Sequence, residues 1–293
     1  MLGRLFRWGV FLGLIGLGIF WFVTIPQSLS DEDLSGLTAD AAMGQQIFTA
    51  SGCASCHAAP KAEGDAKLIL SGGQSFPSPF GTFVAPNISQ DPTHGIGGWS
   101  VGDLASAVIK GTSPEGQHYF PAFPYASYSR MRVQDAVNLQ AYLETLPADA
   151  TPSKPHDIGF PFNIRRSLGV WKALFVSDDW IMEAPSPELE RGRYLVEALG
   201  HCAECHTPRN ALGGLDTANW MAGAPHPSGT GRIPGITPAI LGWNAADIQE
   251  YLKSGFTPEF DTAGGHMVAV VENTAQLSDE DRAAIAAYLL ALP

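Results

Sequence analysis

Two short stretches of the chain repeat the pattern Cys-x-x-Cys-His, at residues 53–57 and 202–206. Two thiols three positions apart on one helical turn can each form a thioether bond with a vinyl group of haem, and the adjacent histidine then faces the iron. The pattern therefore predicts two covalently bound haems c. The predicted covalent anchors are Cys53, Cys56, Cys202 and Cys205, and the predicted proximal iron ligands are His57 and His206.

A zinc site and a redox dithiol are the alternative uses of such cysteine pairs. A structural zinc would need both pairs on one ion and would leave two ligands over, and a thioredoxin-like motif needs no histidine at this place. All four cysteines of the chain lie inside the two motifs, so none remains for a disulfide. Covalent haem accounts for every thiol.

A methionine sulfur is the expected sixth ligand of each iron, because a soft thioether opposite histidine raises the reduction potential. In the second half, Met267 follows Ala-Gly-Gly-His and precedes the last apolar helix, a position that predicts a loop ligand, while Met221 lies in a loop nearer the motif and competes with it. In the first half, Met131 is the only methionine that follows the motif, and His118 is its rival. Met131 and Met267 are the predicted distal ligands.

The second ring nitrogen of each proximal histidine needs a partner. A proximal imidazole usually donates its other N–H to a carbonyl, which fixes the orientation of the ring. The stretches Pro86-Asn-Ile-Ser89 and Pro234-Gly-Ile-Thr237 lie at matching places after the two motifs, in surroundings rich in glycine and proline. The loop carbonyls of Pro86 and Pro234 are therefore the predicted acceptors.

The elements that position the motifs are duplicated, with an offset between 144 (Trp99 to Trp243) and 149 (His57 to His206). A helix precedes each motif, over residues 41–50 and 189–199. A capped helix follows each loop, over 101–110 and 245–254, because Ser or Asn begins it, Asp follows three positions on, and Gly ends it. Closing helices are predicted over 134–146 and 279–292.

The first and last helices of each half are predicted to pack together. Gly44 and Gly192 would let another helix approach closely, and the closing helices carry Tyr142 and Tyr288 at matching places. Without an alternating strand pattern of any length, the sequence predicts an all-α chain of two tandem domains, residues 40–147 and 188–293. Domains of about 105 residues have marginal cores, so haem should complete them.

The linker over residues 148–187 has a mixed character. It begins Pro-rich and extended, and its middle, residues 160–175, interleaves aromatic residues with Arg165, Arg166 and Lys172. One interpretation is a belt that fills the seam between the domains. The other is a docking patch or an anchor for haem propionates.

Residues 1–30 are predicted to anchor the chain in a membrane. Arg4 and Arg7 precede an uncharged apolar run of 18 residues from Trp8 to Ile25, which is just long enough to cross a bilayer as a helix. No small-residue cleavage site follows Pro26 closely, which favours a retained anchor over a secretory signal. The basic end should stay in the cytoplasm. The haem domains are then expected in the periplasm, with a single pass through the bacterial inner membrane.

The charge of the chain limits its partners. With 17 Lys and Arg against 29 Asp and Glu, the formal net charge is −12 at pH 7. Such an acidic chain is a poor candidate for nucleic-acid binding.

The chain resembles the dihaem cytochrome c subunits of membrane-bound, periplasm-facing dehydrogenases, such as those for alcohols and gluconate. The resemblance covers nearly everything after residue 40. It implies class I cytochrome c folds and electron transfer from a dehydrogenase subunit to quinone, a soluble cytochrome or an oxidase. Some members have methionine where this chain has Phe123. The matching runs are Arg191-Gly-Arg-Tyr-Leu-Val196, residues 201–210, Pro86-Asn-Ile-Ser89, Gly95-Ile-Gly-Gly-Trp99, Tyr119-Phe-Pro-Ala-Phe-Pro-Tyr125 and Phe160-Pro-Phe-Asn-Ile-Arg-Arg166.

Two classes of function follow. The leading hypothesis is a membrane-anchored electron carrier without catalysis of its own, whose partners are a dehydrogenase subunit and a downstream redox acceptor. The rival is a dihaem enzyme, a peroxidase or a thiosulfate dehydrogenase, in which one iron keeps an open site for substrate. A haem subunit of a terminal oxidase is a third hypothesis, with electron transfer to different partners.

Overall fold

The computed structural model of the protein describes residues 2–227, 229 and 231–293, and this part of the chain is mainly helical. Residues 106–110 and 194–199 are π-helices that continue the α-helices ending at Ala105 and Arg193. The α-helices are α1 (Leu2–Val23), α2 (Asp31–Leu34), α3 (Ala41–Ala50), α4 (Cys53–His57), α5 (Val101–Ala105), α6 (Tyr125–Tyr128), α7 (Val133–Leu143), α8 (Leu168–Phe175), α9 (Pro187–Arg193), α10 (Ala203–His206), α11 (Pro238–Leu241), α12 (Ala245–Ser254), α13 (Met267–Thr274) and α14 (Asp279–Ala291).

The predicted pairing of first and last helices is confirmed in both domains, which are built from α3–α7 and α9–α14. A Cβ added to Gly44 on α3 would lie 2.0 Å from the carbonyl oxygen of Asn138 on α7. A Cβ added to Gly192 on α9 would lie 2.0 Å from the carbonyl oxygen of Ala284 on α14. Contacts this short are impossible for a larger residue, so glycine sets the distance between the helices in each domain.

The capped helices after the loops are also confirmed. The Ser100 hydroxyl accepts from the Asp103 N–H at 3.1 Å, while the Asp103 carboxylate accepts from the Ser100 N–H at 2.9 Å. Asn244 and Asp247 form the same reciprocal pair at the start of α12. The glycine after each helix is left-handed, with φ +61° in the first domain and +80° in the second. Both helices therefore begin and end where the sequence predicts.

Short strands are a feature that the sequence analysis missed. In the described part of the chain, two antiparallel sheets form in the loops that follow the motifs, with one strand, residues 157–158, supplied by the linker. Strands of two to four residues put at most two side chains on each face, so they leave no alternating pattern to detect. The strands are β1 (Ser75–Ser78), β2 (Gly81–Val84), β3 (Asp157–Ile158), β4 (Ala224–Pro225) and β5 (Arg232–Ile233), in the orders β1-β2-β3 and β4-β5.

The middle of the linker lies against both domains, as the first interpretation of it expected. The indole N–H of Trp171 on α8 donates to the Leu212 carbonyl in the second domain at 2.9 Å. The Lys172 ammonium donates to the carbonyls of Lys110 and Gly111 in the first domain at 2.6 and 2.7 Å. The α8 helix thus joins the two domains. A single cluster of buried apolar side chains continues through both of them.

The α1 helix is the one helix among the described residues that is long and apolar enough to cross a membrane. A signal sequence near the amino terminus would have the same length and composition. Its side chains are exposed along the whole helix, but Thr24, the residue after it, is completely buried. The far end of α1 is therefore packed against the rest of the protein.

Candidate functional site

The first Cys-x-x-Cys-His motif forms the short helix α4, and in the second motif Cys202 is the residue directly before α10. The Nδ1 atom of His57 is 2.9 Å from the carbonyl oxygen of Pro86, and the Nδ1 atom of His206 is 2.8 Å from that of Pro234. These are the two predicted carbonyls. Because a carbonyl only accepts, Nδ1 carries the hydrogen and Nε2 keeps its lone pair. Both rings are thus held in the tautomer that an iron ligand requires.

The protonation of the motif side chains fits covalent haem. Burial lowers the pKa of His57 and of His206, although the hydrogen bond to the carbonyl opposes it, so both rings are neutral. Burial raises the pKa of Cys53 and of Cys202 to about 12 each. A reactive cysteine has a lowered pKa and is a thiolate at neutral pH. The pKa of these two thiols is raised instead, so they lack the character of a redox dithiol.

Met221 is a core residue in the second domain. Its carbonyl accepts from the Ile236 N–H at 2.8 Å, just as the carbonyl of Leu70 accepts from the Ile88 N–H at 2.9 Å in the first domain. Leu70 and Met221 are both completely buried. Met221 therefore occupies in the second domain the place that Leu70 occupies in the first.

The two predicted distal ligands lie in different local structures. Met131 is 4% exposed and lies in the turn between α6 and α7, where its N–H donates to the Tyr128 carbonyl at 2.8 Å. Met267 is partly exposed and is the first residue of α13. The loop position predicted for Met267 was wrong, because a helix begins at that residue. The apolar stretch Met267–Val271 favours the helix over the loop.

His118, the predicted rival to Met131, lies at the end of α1. Its Nε2 atom is 3.0 Å from the carbonyl oxygen of Thr24. Burial lowers the pKa of His118, and the nearby charges of Lys172 and Arg166 lower it further, so the ring is neutral and Nε2 donates. This nitrogen holds the end of α1.

The fold brings the two motifs together across the boundary between the domains. Desolvation is the main reason that the pKa of Cys56 is raised to about 11, and the nearby thiol of Cys205 adds to the effect. Each motif also contacts the other domain. The Asn273 amide on α13 donates to the Ser55 hydroxyl at 2.8 Å, and the Ser127 hydroxyl on α6 donates to the Glu204 carboxylate at 3.2 Å.

Tyr128 lies between the motifs. Its hydroxyl donates to the Ser51 carbonyl, two residues before the first motif, at 3.2 Å. Its ring stands edge-on to that of His201, the residue before the second motif, with the ring centroids 5.5 Å apart. Sequence reasoning missed Tyr128, Ser127 and Asn273. No local signal marks them, because their role depends on how the domains dock.

Comparison with known proteins places the chain in a family. Residues 41–147 match the family described as "Cytochrome c", and residues 187–289 match "Cytochrome C oxidase, cbb3-type, subunit III". A protein of Cereibacter sphaeroides named "Diheme cytochrome c-type" is 57% identical over 286 residues, which cover 97% of each chain. The chain belongs to the dihaem c-type cytochromes. It therefore carries two covalently bound haems c in two cytochrome c domains, as predicted.

Several relatives of this dihaem cytochrome are named as subunits of dehydrogenases. The fructose dehydrogenase cytochrome subunit of Gluconobacter japonicus is 37% identical over 85% of this chain and 52% of its own length. The gluconate 2-dehydrogenase cytochrome c subunit of Pantoea cypripedii is 34% identical over 85% of this chain and 58% of its own length. The dihaem cytochrome thus spans about half the length of these dehydrogenase subunits.

Proposed function

We propose that this dihaem cytochrome is the electron-carrying subunit of a membrane-bound dehydrogenase. It would pass electrons from a catalytic subunit on the periplasmic side to quinone, a soluble cytochrome or an oxidase. The observation that carries the proposal is the bonding of each motif to the opposite domain, in a chain similar over most of its length to dehydrogenase cytochrome subunits. Haem supplies the one-electron chemistry, and the protein supplies attachment, orientation and surroundings.

The residues would divide the work in the same way in each domain. The cysteines attach the haem, the proximal histidine binds iron through Nε2 while its Nδ1–H is held by the proline carbonyl, and the methionine sulfur completes the coordination. The proposed set is Cys53, Cys56, His57 and Met131 in residues 40–147, and Cys202, Cys205, His206 and Met267 in residues 188–293.

The contacts between the domains would keep the two attachment sites at a fixed separation. Tyr128 places a buried aromatic ring between the motifs, and the bonds from Asn273 to Ser55 and from Ser127 to Glu204 hold each motif to the opposite domain. Electrons that enter at one haem can then leave from the other without movement of the domains. No proton transfer or substrate pocket is needed for this task.

The α1 helix would serve as a retained anchor. Its 22 residues give a length of about 33 Å at about 1.5 Å per residue, which matches the apolar thickness of a bilayer. Arg4 and Arg7 at its start favour a cytoplasmic amino end. The haem domains would then lie in the periplasm, with α1 as a single pass through the inner membrane. The buried Thr24 supports retention, because cleavage beyond α1 would remove a packed residue.

A terminal-oxidase subunit and a dihaem enzyme are the competing functions. Only the second domain matches the oxidase-subunit family, whereas the dehydrogenase subunits align with 85% of the chain. An enzyme would need an iron with an open position, and each domain offers a methionine as a sixth ligand. The dehydrogenase function is therefore preferred.

The test is to purify the full-length tagged protein from washed membranes in mild detergent and to identify what purifies with it. A dehydrogenase subunit should be present, and adding its substrate should reduce both haems, while the same sample without substrate stays oxidised. Both haems should be low-spin and should not react rapidly with carbon monoxide or peroxide. One high-spin haem per protein, with peroxide or thiosulfate turnover and no dehydrogenase, would overturn the proposal.

A further inference from the structure

The outward face of α8 is apolar, which is unusual for a helix on the surface of a soluble domain. Val170 and Leu174 are one helical turn apart and share a face, and both are exposed, Leu174 by 63%. The opposite face points inwards, where Lys172 bonds to two carbonyls of the first domain. A surface helix normally carries polar residues on its outer face. Since α8 does not, something other than water should cover it.

The segment before α8 adds to the same apolar surface. Phe160 is 81% exposed, and Phe162 and Ile164 are each nearly half exposed. The ring of Phe162 also stands edge-on to that of Phe80, with the centroids 5.0 Å apart, so it is held against the first domain. An exposed apolar patch of this kind marks a membrane or protein contact. We name Phe160, Phe162, Ile164, Val170 and Leu174 the apolar patch.

The end of α1 lies directly beside the apolar patch. Gly169 of α8 touches Thr24 so closely that a Cβ at Gly169 would be 2.6 Å from the Thr24 Cα. The Arg166 guanidinium donates to the Thr24 hydroxyl and to the Trp21 carbonyl, each at 2.7 Å, and lies 4.3 Å from the centre of the Trp21 ring. Tryptophan and arginine are typical of the level at which a membrane helix leaves the bilayer.

We propose that the apolar patch is seated in the headgroup region of the bilayer beside α1, with lipid as its occupant. The inference rests on the proposed anchor and specifies how the haem domains meet the membrane. Helices that lie in the membrane interface bury an apolar face in this way. Lipid is favoured over a protein partner because the patch is continuous with the end of the only membrane-length helix among the described residues. Burial of the apolar side chains, rather than charge, holds it there.

The chain offers a direct test of this arrangement. In the mature dihaem protein all four native cysteines are used in thioether bonds, so one introduced cysteine can be labelled alone with an environment-sensitive fluorophore. Full-length Phe162→Cys and Leu174→Cys are reconstituted without other proteins into neutral phosphatidylcholine vesicles that contain nitroxide-labelled lipids. Ile15→Cys within α1 reports insertion of the anchor. Ile240→Cys on α11 is the matched control, since Ile240 is exposed by 54% and is not part of the patch.

We expect shallow nitroxides to quench the fluorophores at residues 162 and 174 strongly, and deep nitroxides to quench the fluorophore at residue 15. Quenching at residue 240 should be several-fold weaker. Replacing part of the neutral lipid with anionic lipid should change little, since apolar burial dominates. If the fluorophore at residue 15 is quenched while those at residues 162 and 174 are quenched no more than that at residue 240, the anchor is inserted and the apolar patch does not face lipid. If 15 is not quenched either, the anchor itself fails, and the patch proposal fails with it.

Discussion

The two domains of this cytochrome agree in the parts that hold His57 and His206 and differ in the parts that carry Met131 and Met267, the predicted distal ligands. Tyr119 and Ala263 close matching turns, each by an N–H bond of 2.8 Å to the carbonyl of the helix-ending glycine, at an offset of 144. The closing helices, compared through Tyr142 and Tyr288, have an offset of 146. Two extra residues therefore lie between these points in the second domain, where α13 replaces the short α6.

The offsets place the two methionines at opposite ends of this variable segment. Counted from the turn, Met267 corresponds to Phe123, since 267 minus 144 is 123. Counted from the closing helix, Met131 corresponds to Leu277, since 131 plus 146 is 277, and Leu277 is buried like Met131. The two predicted distal methionines would therefore approach their haems from opposite ends of this segment. The turn and the closing helix are each held by short-range contacts, so both are kept in the two domains while the segment between them differs.

The largest effect is expected from removing either distal methionine. Met267→Ala should abolish the thioether-to-iron signals of the second haem only, and Met131→Ala those of the first only. Because axial ligands set haem potentials over a range of about 0.8 V, the affected haem should fall substantially in potential. Redox titration with absorbance and paramagnetic NMR would resolve the two haems. Met221→Leu is the control and should change neither, since Leu70 occupies the same place.

The same comparison can be sharpened by moving a ligand. Phe123→Met combined with Met131→Leu should restore thioether ligation to the first haem, because the turn register places residue 123 where Met267 lies in the second domain. Recovery of the thioether signal would support this correspondence. Loss of ligation in Met131→Leu alone, with no recovery in the double variant, would show that the first domain accepts a ligand only from its closing-helix side.

A smaller effect is expected from changing the glycine at which the first and last helices cross in each domain. Gly44→Ala and Gly192→Ala should each destabilise the folded holoprotein, by about 1–3 kcal/mol or more, because the new methyl group would meet a carbonyl oxygen at 2.0 Å. Guanidinium unfolding followed by haem absorbance measures the loss. Gly264→Ala is the control, as nothing lies within 4 Å of its added Cβ. A large loss for one glycine and none for the other would mean that the helix crossings are not equivalent.

The smallest effect concerns a buried carboxyl group found in the second domain. Glu197 accepts from the Tyr288 hydroxyl at 2.5 Å and from the Ile181 N–H at 3.0 Å, and burial raises its pKa above 4.5. The unfolded chain then loses this proton first, so stability should fall as pH rises from about 4.5 through the raised pKa. The urea midpoint of the native protein minus that of Glu197→Gln should fall over that range. A constant difference would contradict the assignment.

The sequence predicted the parts of the structure that depend on near neighbours. Helix ends at Ser100 and Asn244 follow from partners three residues away, and the carbonyls of Pro86 and Pro234 follow from the duplication itself. The short strands and the helical setting of Met267 were missed, because two-residue ladders and a helix start without a capping side chain leave little local signal. Tyr128 was missed because its position depends on the docking of two domains.

The buried end of α1 limits how freely the haem domains could move relative to the proposed membrane anchor. Residues 24–30 do not form a flexible joint, since Thr24 is enclosed by α8 and the Leu29 N–H donates to the Ser106 hydroxyl at 3.0 Å. A loose tether would let the haem domains sweep through a volume that grows with its length. With α1 in the bilayer, this protein instead keeps one height and tilt above the surface. Encounters then occur by lateral diffusion, and only partners whose redox centre lies at that height can exchange electrons with it.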